Sequence, residues 1–460
     1  GILGKSYDII IEKFETEKGE AVVVFVDGFI SKDLVDRDII KPLKDICYDG
    51  NLKKSINSII EKATDMQMVV SRILEGNVAV FDDNSEYVYT VEFKQWDRRG
   101  VTEPDAETVT RGPKEGFTES IVTNTIMLRR KLKTSNLTLE KMILGRQSNT
   151  LIAIAYLEDI VNQEVLKEVK KRLNKIDIDA ILETGQIEQL IEEKPFALLN
   201  GIGLTQKPDK AAAKLLEGRV AILCDGTPHA LIIPELFIEN LHSSEDYYSR
   251  TVYTNFMRLI RLFGLIISIL MPGLSVAILT FNQEMVPFTF LESYISATMK
   301  TPFPEAVEVF FLIVMFELLK EASTRFPKSI GSAITIVGAL IIGEAAVNAG
   351  IVGAPSVIIV ALTSVAGLLN TNLDEFSTVY RFFFLFLGAS MGLIGISAGM
   401  VIMLTQIIST DSFGIPILSS FGKEERKDNL LKSSIKDMIF RPRSIVKNNV
   451  KRMKPLNEGK

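Results

Sequence analysis

The chain has 460 residues, of which 47% are hydrophobic and 24% are charged, and its formal net charge is −5. This length allows two or three domains. The two cysteines, Cys47 and Cys224, are too few for a disulfide framework, and the two histidines, His229 and His242, argue against a metal site.

The charges are distributed unevenly, so the average composition hides two different halves. Up to about Asp246, acidic and basic residues are dense and mixed. From Leu262 to Thr410 they almost vanish, and from Lys423 onward they return as mostly Lys and Arg. The pattern indicates a polar region, then an apolar region, and finally a basic tail.

In the polar half, strand and helix patterns alternate. The run EAVVVFVDGF (20–29) is typical of a buried strand, and the helical pattern 31–46 follows it. TLIAIAYLED (150–159) begins in the same way and leads into the helical pattern 162–176. The alternation predicts an α/β fold, and the similarity predicts that one α/β unit occurs twice.

A second pair of stretches supports the repeat. LEGNVAVFDDNSEYVYTVEF (74–93) is echoed by LEGRVAILCDGTPHALIIPEL (216–236). Both are apolar runs around an Asp-containing turn, which is typical of a β-hairpin. We therefore predict two tandem, related α/β subdomains, an N-terminal one over residues 1–120 and a second one over residues 121–245.

No catalytic or nucleotide-binding motif stands out in this half. NGIGLTQ (200–206) holds a Gly-x-Gly but lacks the third glycine of a dinucleotide site. Asp225 and His229 could belong to a triad with a nearby serine, but Asp225–Gly226 fits a hairpin turn better. TRGPKEGFTES (110–120) could cradle an anion, or it is a plain loop. We predict that the protein is not an enzyme and has no cofactor, no metal and no nucleic-acid partner.

The apolar half begins with residues 262–283, which carry no charge. As a helix this segment would be roughly 33 Å long, enough to cross a bilayer. Four further apolar segments follow, and the stretch 285–299 suits a re-entrant or interfacial position. We predict a polytopic helical membrane domain over residues 246–410 and a basic tail over residues 411–460. The four further segments are 303–319, 329–350, 351–369 and 382–410, the last of which is either one long tilted helix or a tight pair broken between Gly388 and Gly399.

Basic residues near the helix ends predict the orientation in the membrane. Arg250, Arg258 and Arg261 precede the first span and indicate that the N-terminal half is cytoplasmic. Lys320, Arg325 and Lys328 lie between the second and third segments and indicate that this loop is cytoplasmic as well. The basic tail is predicted to be cytoplasmic as well, with residues 430–454 either at the membrane surface or solvated. If the N-terminal half and the tail both lie on the cytoplasmic side, the chain must cross the membrane an even number of times. Five apolar segments conflict with this requirement, unless one of them does not span the membrane or the last one folds back as a pair.

Four carboxylates interrupt the apolar segments and are the candidate ion path or intramembrane polar site: Glu305, Glu308, Glu317 and Glu344. Charges at such positions usually face a water-filled path or the protein interior. For Glu344, which small residues surround, two alternatives stay open. It either locks helices together as a protonated or hydrogen-bonded group, or it forms a cation site shared with Glu317.

Several long stretches together resemble the A subunits of GerA-type spore germinant receptors, and the similarity runs over nearly the whole chain. In the polar half they are EPDAETVTRGPKEGFTES (103–120), KIDIDAILETGQIEQLIEE (175–193) and KPDKAAAKLLEGRVAILCDGTPHALIIPE (207–235). In the apolar half they are FELLKEASTRFPKSIG (316–331) and IVGALIIGEAAVNAGIVGAP (336–355).

The resemblance implies a location and partners that the residue patterns do not. Such A subunits lie in the inner membrane of spores, together with a transporter-like B subunit and a lipoprotein C subunit. They respond to nutrients by releasing cations, and the A subunit is thought to form a homo-oligomeric channel in the lipid bilayer. The alternative is a non-conducting membrane scaffold that assembles the germination complex.

Overall fold

The structure is a computed structural model of the whole chain. It describes residues 6–16, 19–30, 32–44, 59–63, 65–83, 85, 87–92, 104, 107–192, 198–199, 201–299, 301–325 and 343–419. The predicted surface segment 430–454 lies outside the described residues, and so do residues 329–342 of the third apolar segment.

The first α/β unit contains one five-stranded antiparallel sheet with the strand order β1-β2-β4-β5-β3. Helical residues 32–44 (α1) follow the first hairpin, and a second helix precedes β4. In chain order the elements are β1 (Ile9–Thr16), β2 (Gly19–Val26), α1, β3 (Ile59–Ala63), α2 (Met66–Leu74), β4 (Val78–Asp82) and β5 (Val88–Glu92).

The second unit repeats this arrangement. Its five-stranded antiparallel sheet has the order β6-β7-β9-β10-β8, which is the order of the first sheet strand for strand. Its elements are α3 (Ile121–Lys131), β6 (Leu137–Leu144), β7 (Thr150–Leu157), α4 (Gln163–Leu173), α5 (Thr184–Ile191), β8 (Gly203–Thr205), α6 (Pro208–Leu216), β9 (Val220–Cys224) and β10 (Ala230–Ile233). The prediction of two related α/β subdomains is confirmed.

Strand β7 shows why the sequences of the central strands are apolar at successive positions. Ile152, Ile154 and Tyr156 pack in one core cluster with α4 and α5, while Ala153 and Leu157 pack in another with α3 and α6. Alternate side chains of a strand point to opposite faces, so a sheet covered by helices on both faces needs apolar residues at every position. Small alanines on the second face let the helices approach closely.

The two units are joined through α3. Arg129 is fully buried, and its Nε donates to Asp8 Oδ2 at 2.7 Å while its Nη2 donates to Ser6 Oγ at 2.7 Å. Residues 107–119 contact the second unit, since Phe117 N donates to Gln206 O at 2.7 Å. The boundary at residues 120/121 stays a prediction.

Most of the described residues after residue 250 lie in helices. They are α7 (Thr251–Phe281), α8 (Phe288–Thr298), α9 (Glu305–Arg325), α10 (residues 343–348), α11 (Ala354–Gly367) and α12 (Asp374–Ile408). Within the described residues, two helical stretches are long and apolar enough to cross a membrane, Thr251–Phe281 and Thr371–Ile408. The shorter α11 is apolar as well.

Helix α12 reverses direction at Gly392, whose φ of 58° and ψ of −141° are not helical. The Tyr380 hydroxyl donates to Gln406 Oε1, although a straight helix would separate these residues by roughly 39 Å. A Cβ at Gly395 would lie 2.3 Å from Leu387 O. The last apolar segment is therefore a tight antiparallel pair, which confirms that alternative over one long helix.

Glycines bring α7 and α12 into backbone contact. A Cβ at Gly388 would lie 2.3 Å from Gly273 O, and a Cβ at Gly273 would lie 2.4 Å from Phe384 O. Larger residues at either position would push the two helices apart, because backbone atoms cannot move out of the way as a flexible side chain can. Such small residues allow close packing in helical membrane proteins.

After α12 the chain returns to the second α/β unit. A short hairpin, β11 (Asp411–Ser412) and β12 (Ile415–Pro416), places Phe413 and Ile415 in the core that also contains Ile152. Ser412 Oγ donates to Gly201 O at 2.5 Å. The first residues of the predicted tail are thus part of the second unit.

The contact between α7 and α12 leads to a prediction about stability. We expect Gly388→Ala to lower the free energy of unfolding by about 1–3 kcal/mol, because the new methyl group meets the Gly273 carbonyl. Gly343→Ala is the control, since its Cβ would meet Val357 at an ordinary 3.6 Å. Thermal unfolding in detergent measures both, and equal midpoints for the two variants would contradict the backbone contact.

Candidate functional site

The structure brings two of the four predicted carboxylates together. Glu305 and Glu308 lie in the first turn of α9, opposite the start of α11. Ser356 Oγ lies 3.0 Å from an oxygen of each carboxylate, and Gly353 N donates to Glu308 Oε2 at 2.8 Å. The Tyr294 hydroxyl donates to Glu305 Oε2 at 2.7 Å.

Helix ends explain why Glu308 can be buried with only 1% of its surface exposed. The free N–H groups at a helix N-terminus attract negative charge, and Glu308 lies at the first turn of its own helix and next to the first turn of α11. Glu305 Oε1 is buried without a hydrogen-bond partner among the described residues. Within these residues, no group of three His, Cys, Asp or Glu side chains could hold a metal ion.

Glu317 lies in a different cluster, an ion-pair network across three helices. Arg381 Nη1 donates to Glu317 Oε1 at 2.7 Å, and Arg381 Nε donates to Ser268 O at 2.9 Å. Lys320 Nζ lies 2.5 Å from Asp374 and 3.7 Å from Glu317. Glu317 therefore has its own counter-cation, and α7, α9 and α12 are joined by one charged network.

Burial makes this network depend on its pairing. Arg381 is only 2% exposed, and a Cβ at Gly367 would lie 3.1 Å from its Nη2. A guanidinium in such a place is stable only when a carboxylate and a carbonyl satisfy it. Gly367 leaves the space that the guanidinium occupies.

Glu344 belongs to neither cluster. It lies in α10, whose Ala346 faces the apolar core formed with Val309 and Ile313, while Glu344 itself is exposed on the surface of the single chain. The cation site that Glu344 was predicted to share with Glu317 stays a prediction. The geometry shows only that Glu317 is ion-paired and that Glu344 is exposed.

A third polar cluster joins the second α/β unit to the start of α7. Arg261 donates to both oxygens of Asp246 at 2.8 and 3.0 Å, and Arg258 Nε donates to Asp246 Oδ2 at 3.2 Å. Burial alone would raise the pKa of Asp246, but the two guanidinium groups outweigh it and hold that pKa below its usual range. Asp246 is therefore ionised and anchors the helix.

Nearby, the second unit buries a set of charges. Lys214 Nζ donates to Glu239 Oε1 at 2.8 Å, and Arg219 Nη1 donates to Glu217 Oε2 at 2.7 Å. Burial by itself would raise the pKa of Glu239, yet Arg219 and Lys214 lower it to about 2. These groups form ion pairs with one another, which is typical of a structural network.

The other sequence candidates have structural roles. Asp225 Oδ1 accepts from Ile121 N at 3.0 Å and so caps α3, while His229 Nε2 lies 3.2 Å from Gln206 Nε2. The predicted hairpin turn at Asp225–Gly226 is confirmed, since β9 and β10 pair on either side and Gly226 has φ 89°. Residues 110–120 form a loop without regular secondary structure.

Arg381, Ser356 and Asp374 are the polar residues that the sequence analysis missed. Arg381 directly precedes the charge-free stretch 382–410 and is followed by three phenylalanines. The sequence signal that could have predicted the Arg381–Glu317 pair is a single arginine at the edge of one apolar segment and a carboxylate within another. A serine just after a helix-starting Gly-Ala-Pro carries no comparable signal.

Comparisons with known proteins give a consistent result. Residues 1–452 match the model of the family described as Bacillus/Clostridium GerA spore germination protein. Spore germination protein KA of Bacillus subtilis (strain 168) is 38% identical over 455 residues, which is 95% of this chain and 82% of that protein. The uncharacterised membrane protein YfkQ of the same organism is 35% identical over 448 residues, 95% of this chain and 87% of that protein.

Among solved structures, the N-terminal domain of the A subunit of the Bacillus megaterium spore germinant receptor GerK3 matches 51% of this chain and 91% of that chain. The two are 34% identical, with a TM-score of 0.38.

The Glu317–Arg381 network leads to a prediction about stability. Arg381→Met leaves Glu317 without its main counter-ion and Ser268 O without its donor, so we expect a loss of about 2–4 kcal/mol. The control is Arg325→Met, which removes an exposed pair with Glu321 and should cost less than about 1 kcal/mol.

Thermal unfolding in detergent compares the two variants. The double variant Glu317→Leu/Arg381→Met removes both charges and should recover part of the loss. If Arg381→Met costs no more than Arg325→Met, the network does not hold the helices together.

Proposed function

This chain belongs to the Bacillus/Clostridium GerA spore germination protein family, and we propose that it is the membrane-embedded A subunit of a nutrient-responsive germinant receptor. Membership gives it a role in spore germination, and the relatives are named as germination proteins and not as enzymes. The observation that carries the proposal is the match over residues 1–452, which includes both α/β units and all described helices.

The surface of the helical region supports placing it in a membrane. Large apolar side chains cover its outside, among them Phe263 at 61% exposure, Phe386 at 72% and Ile394 at 73%. Apolar patches of this kind on the surface of a chain call for lipid or another protein to cover them. Helix α7 and the two arms of α12 supply the apolar length, and a relative is named as a membrane protein.

The fold also supports an orientation. Leu241 of the second unit packs with Leu373 and Phe376 at the start of α12, and Phe413 returns to that unit after its end. The basic residues of α7 and α9 lie at this same end, since Lys320 contacts Asp374. Basic residues mark the cytoplasmic side, so we place both α/β units there. The reversal at Gly392 supplies the extra crossing that the charge pattern requires.

Glu344 supports a role in conduction. The other three carboxylates have internal partners, whereas Glu344 is exposed on the single chain. A charged side chain at the centre of a membrane helix costs roughly 2.5–3.5 kcal/mol on insertion scales. We therefore place Glu344 where copies of the chain meet around a water-filled path, as a cation site of a homo-oligomeric channel in the spore inner membrane. A transporter-like B subunit and a lipoprotein C subunit complete the receptor.

The alternative is a non-conducting scaffold. The two α/β units are much larger than an anchor needs, and they form the greater part of the described chain. Cation flux through the purified protein in liposomes separates the two functions. A channel conducts cations, either alone or once its partner subunits are added, whereas a scaffold conducts under neither condition.

Glu344 gives the most specific test. We expect Glu344→Gln to assemble normally, because the amide keeps the size of the side chain and its capacity to form hydrogen bonds. Cation release in response to nutrient should fall at least several-fold, because the charge is lost. Glu344→Ala should impair assembly as well.

Glu292→Gln is the matched control, since Glu292 is an exposed acid on another helix, α8. Release of cations from spores that carry each variant is the measurement, with the protein level in the membrane as reference. Normal release from a normally assembled Glu344→Gln variant would rule out the cation site.

A further inference from the structure

An apolar stripe runs along the first part of α7, before the charge-free stretch of that helix. Val252, Phe256 and Leu259 follow one another at spacings of four and three residues, and they are 84%, 60% and 39% exposed. This spacing places the three side chains on one face of the helix. Thr254 and Arg258, on the other side of the helix, are buried. We call Val252, Phe256 and Leu259 the α7 stripe.

Lipid accounts for only part of this exposure. Residues 262–281 of α7 carry no charge and form roughly 30 Å of helix, the thickness of the hydrocarbon core of a bilayer. Phe256 and Val252 then lie roughly 9 and 15 Å outside that core, whereas a headgroup layer is about 5–8 Å thick. Large apolar side chains beyond the headgroups favour a protein partner.

The last described residues lie close to the start of α7. Ile417 O accepts from Phe237 N at 3.2 Å, and Leu241 O accepts from Arg261 Nη1 at 3.0 Å. Phe237 and Leu241 are the two ends of one 3₁₀ helix, which is about 10 Å long at about 2 Å per residue. Residues 420–460 therefore continue from a point near the base of α7.

The sequence that follows contains an apolar row of the same spacing. Residues 428–441 are DNLLKSSIKDMIFR, in which Leu431, Ile435 and Met438 are again four and three residues apart. The segment begins with an aspartate, a typical N-cap, and Pro442 follows it, so the pattern predicts a helix of about three turns. A helix of this length is marginal in water, and apolar contact with another helix stabilises it.

We propose that residues 428–441 form a helix that docks on the α7 stripe of the same chain. Two apolar rows with spacings of four and three residues can pack side by side, as in a coiled coil. The connecting residues 420–427 reach up to roughly 30 Å, whereas the stripe is roughly 10 Å long. So short a connection gives the segment an effective concentration on the order of millimolar at the stripe, an advantage that a separate partner lacks.

The charges near the stripe allow a basic segment to approach. Arg258 and Arg261 are paired with Asp246, so they do not repel Lys432 and Lys436 as free cations would. In a helix these lysines lie beside the apolar row, where their charges stay in water. Docking through apolar contact should therefore change little with salt, unlike binding to anionic lipid.

This contact goes beyond the proposed function, because it holds whether or not the protein conducts ions. It rests on the membrane position proposed for α7. Docking would bury the α7 stripe and attach the tail to the helix whose start Asp246 anchors.

Disulfide formation tests the contact in the full-length protein, in neutral lipid vesicles and without Cys47 and Cys224. We expect Phe256→Cys and Ile435→Cys, at the centres of the two rows, to form a disulfide in either orientation of the segment. Phe256→Cys with Ser433→Cys is the matched control, because residue 433 lies on the opposite side of the predicted helix, and its yield should be several-fold lower. Mass spectrometry on mixed isotope-labelled and unlabelled chains shows whether the bond lies within one chain.

Three outcomes would overturn the proposal. Equal yields for the two pairs would show that the segment does not dock in this register. Bonds mainly between chains, whether 256 to 435 or 256 to 256, would show that a second copy covers the stripe. A disulfide that forms only when anionic lipid is added would show that the membrane surface holds the segment.

A charge in the stripe gives a second readout. Hydrogen exchange of residues 430–440 should be slow in the parent and several-fold faster in Phe256→Asp, because the carboxylate cannot be buried against the apolar row. Ile143→Asp, at an exposed apolar position of the second unit, is the control and should keep the slow exchange. Equal exchange in the parent and in Phe256→Asp would contradict docking.

Thiol labelling separates a failure of the docking from a failure of the membrane position. Phe256→Cys combined with Ile435→Asp should react with a membrane-impermeant thiol reagent, because the segment no longer covers the stripe. If this cysteine does not react, position 256 lies in lipid, and both the membrane position of α7 and the docking are wrong. If it reacts as fast with Ile435 in place, only the docking is wrong.

Discussion

Both ends of the helical region are attached to the same α/β unit, and this constraint organises the rest of the structure. At the start, Asp246 accepts hydrogen bonds from Arg258 and Arg261 of α7. At the end, Phe413 and Ile415 are buried in the core of the second unit, and the Arg172 guanidinium lies 4.2 Å from the centroid of the Phe413 ring. Any path of the chain between these anchors must leave the α/β units and return to them.

Two features make that return possible. Gly392 adopts a positive φ that other residues rarely tolerate, which allows α12 to fold back on itself. Gly273 and Gly388 then let α7 approach α12 without side chains between them. The charged side chains also hold the helices together. Arg381, Glu317 and Glu308 lie among apolar helices, and each one is bonded to a partner on another helix. Glu344, which is exposed on the single chain, is the exception among the four carboxylates.

The sequence predicted the repeated α/β units because strand patterns and Asp-containing turns are local signals. It did not predict the edge strands β3 and β8, which are short and depend on pairing with β5 and β10. Several glycines between residues 388 and 399 could have been the position at which α12 reverses. Only the packing in the structure shows that the reversal is at Gly392. Glu305, Glu308, Glu317 and Glu344 stood out as charges in apolar segments. Their partners did not, because a contact such as Glu317–Arg381 joins residues 64 positions apart.

The account depends most on both ends of the helical region lying on one side of the membrane. Single cysteines at Gln147, Glu284 and Asp411, three exposed positions, can be introduced into a chain without Cys47 and Cys224 and labelled in sealed vesicles with a membrane-impermeant thiol reagent. We predict that positions 147 and 411 react from the same side and that position 284, just after α7, reacts only from the other. Labelling of 147 and 411 from opposite sides would contradict the return of the chain to the α/β unit.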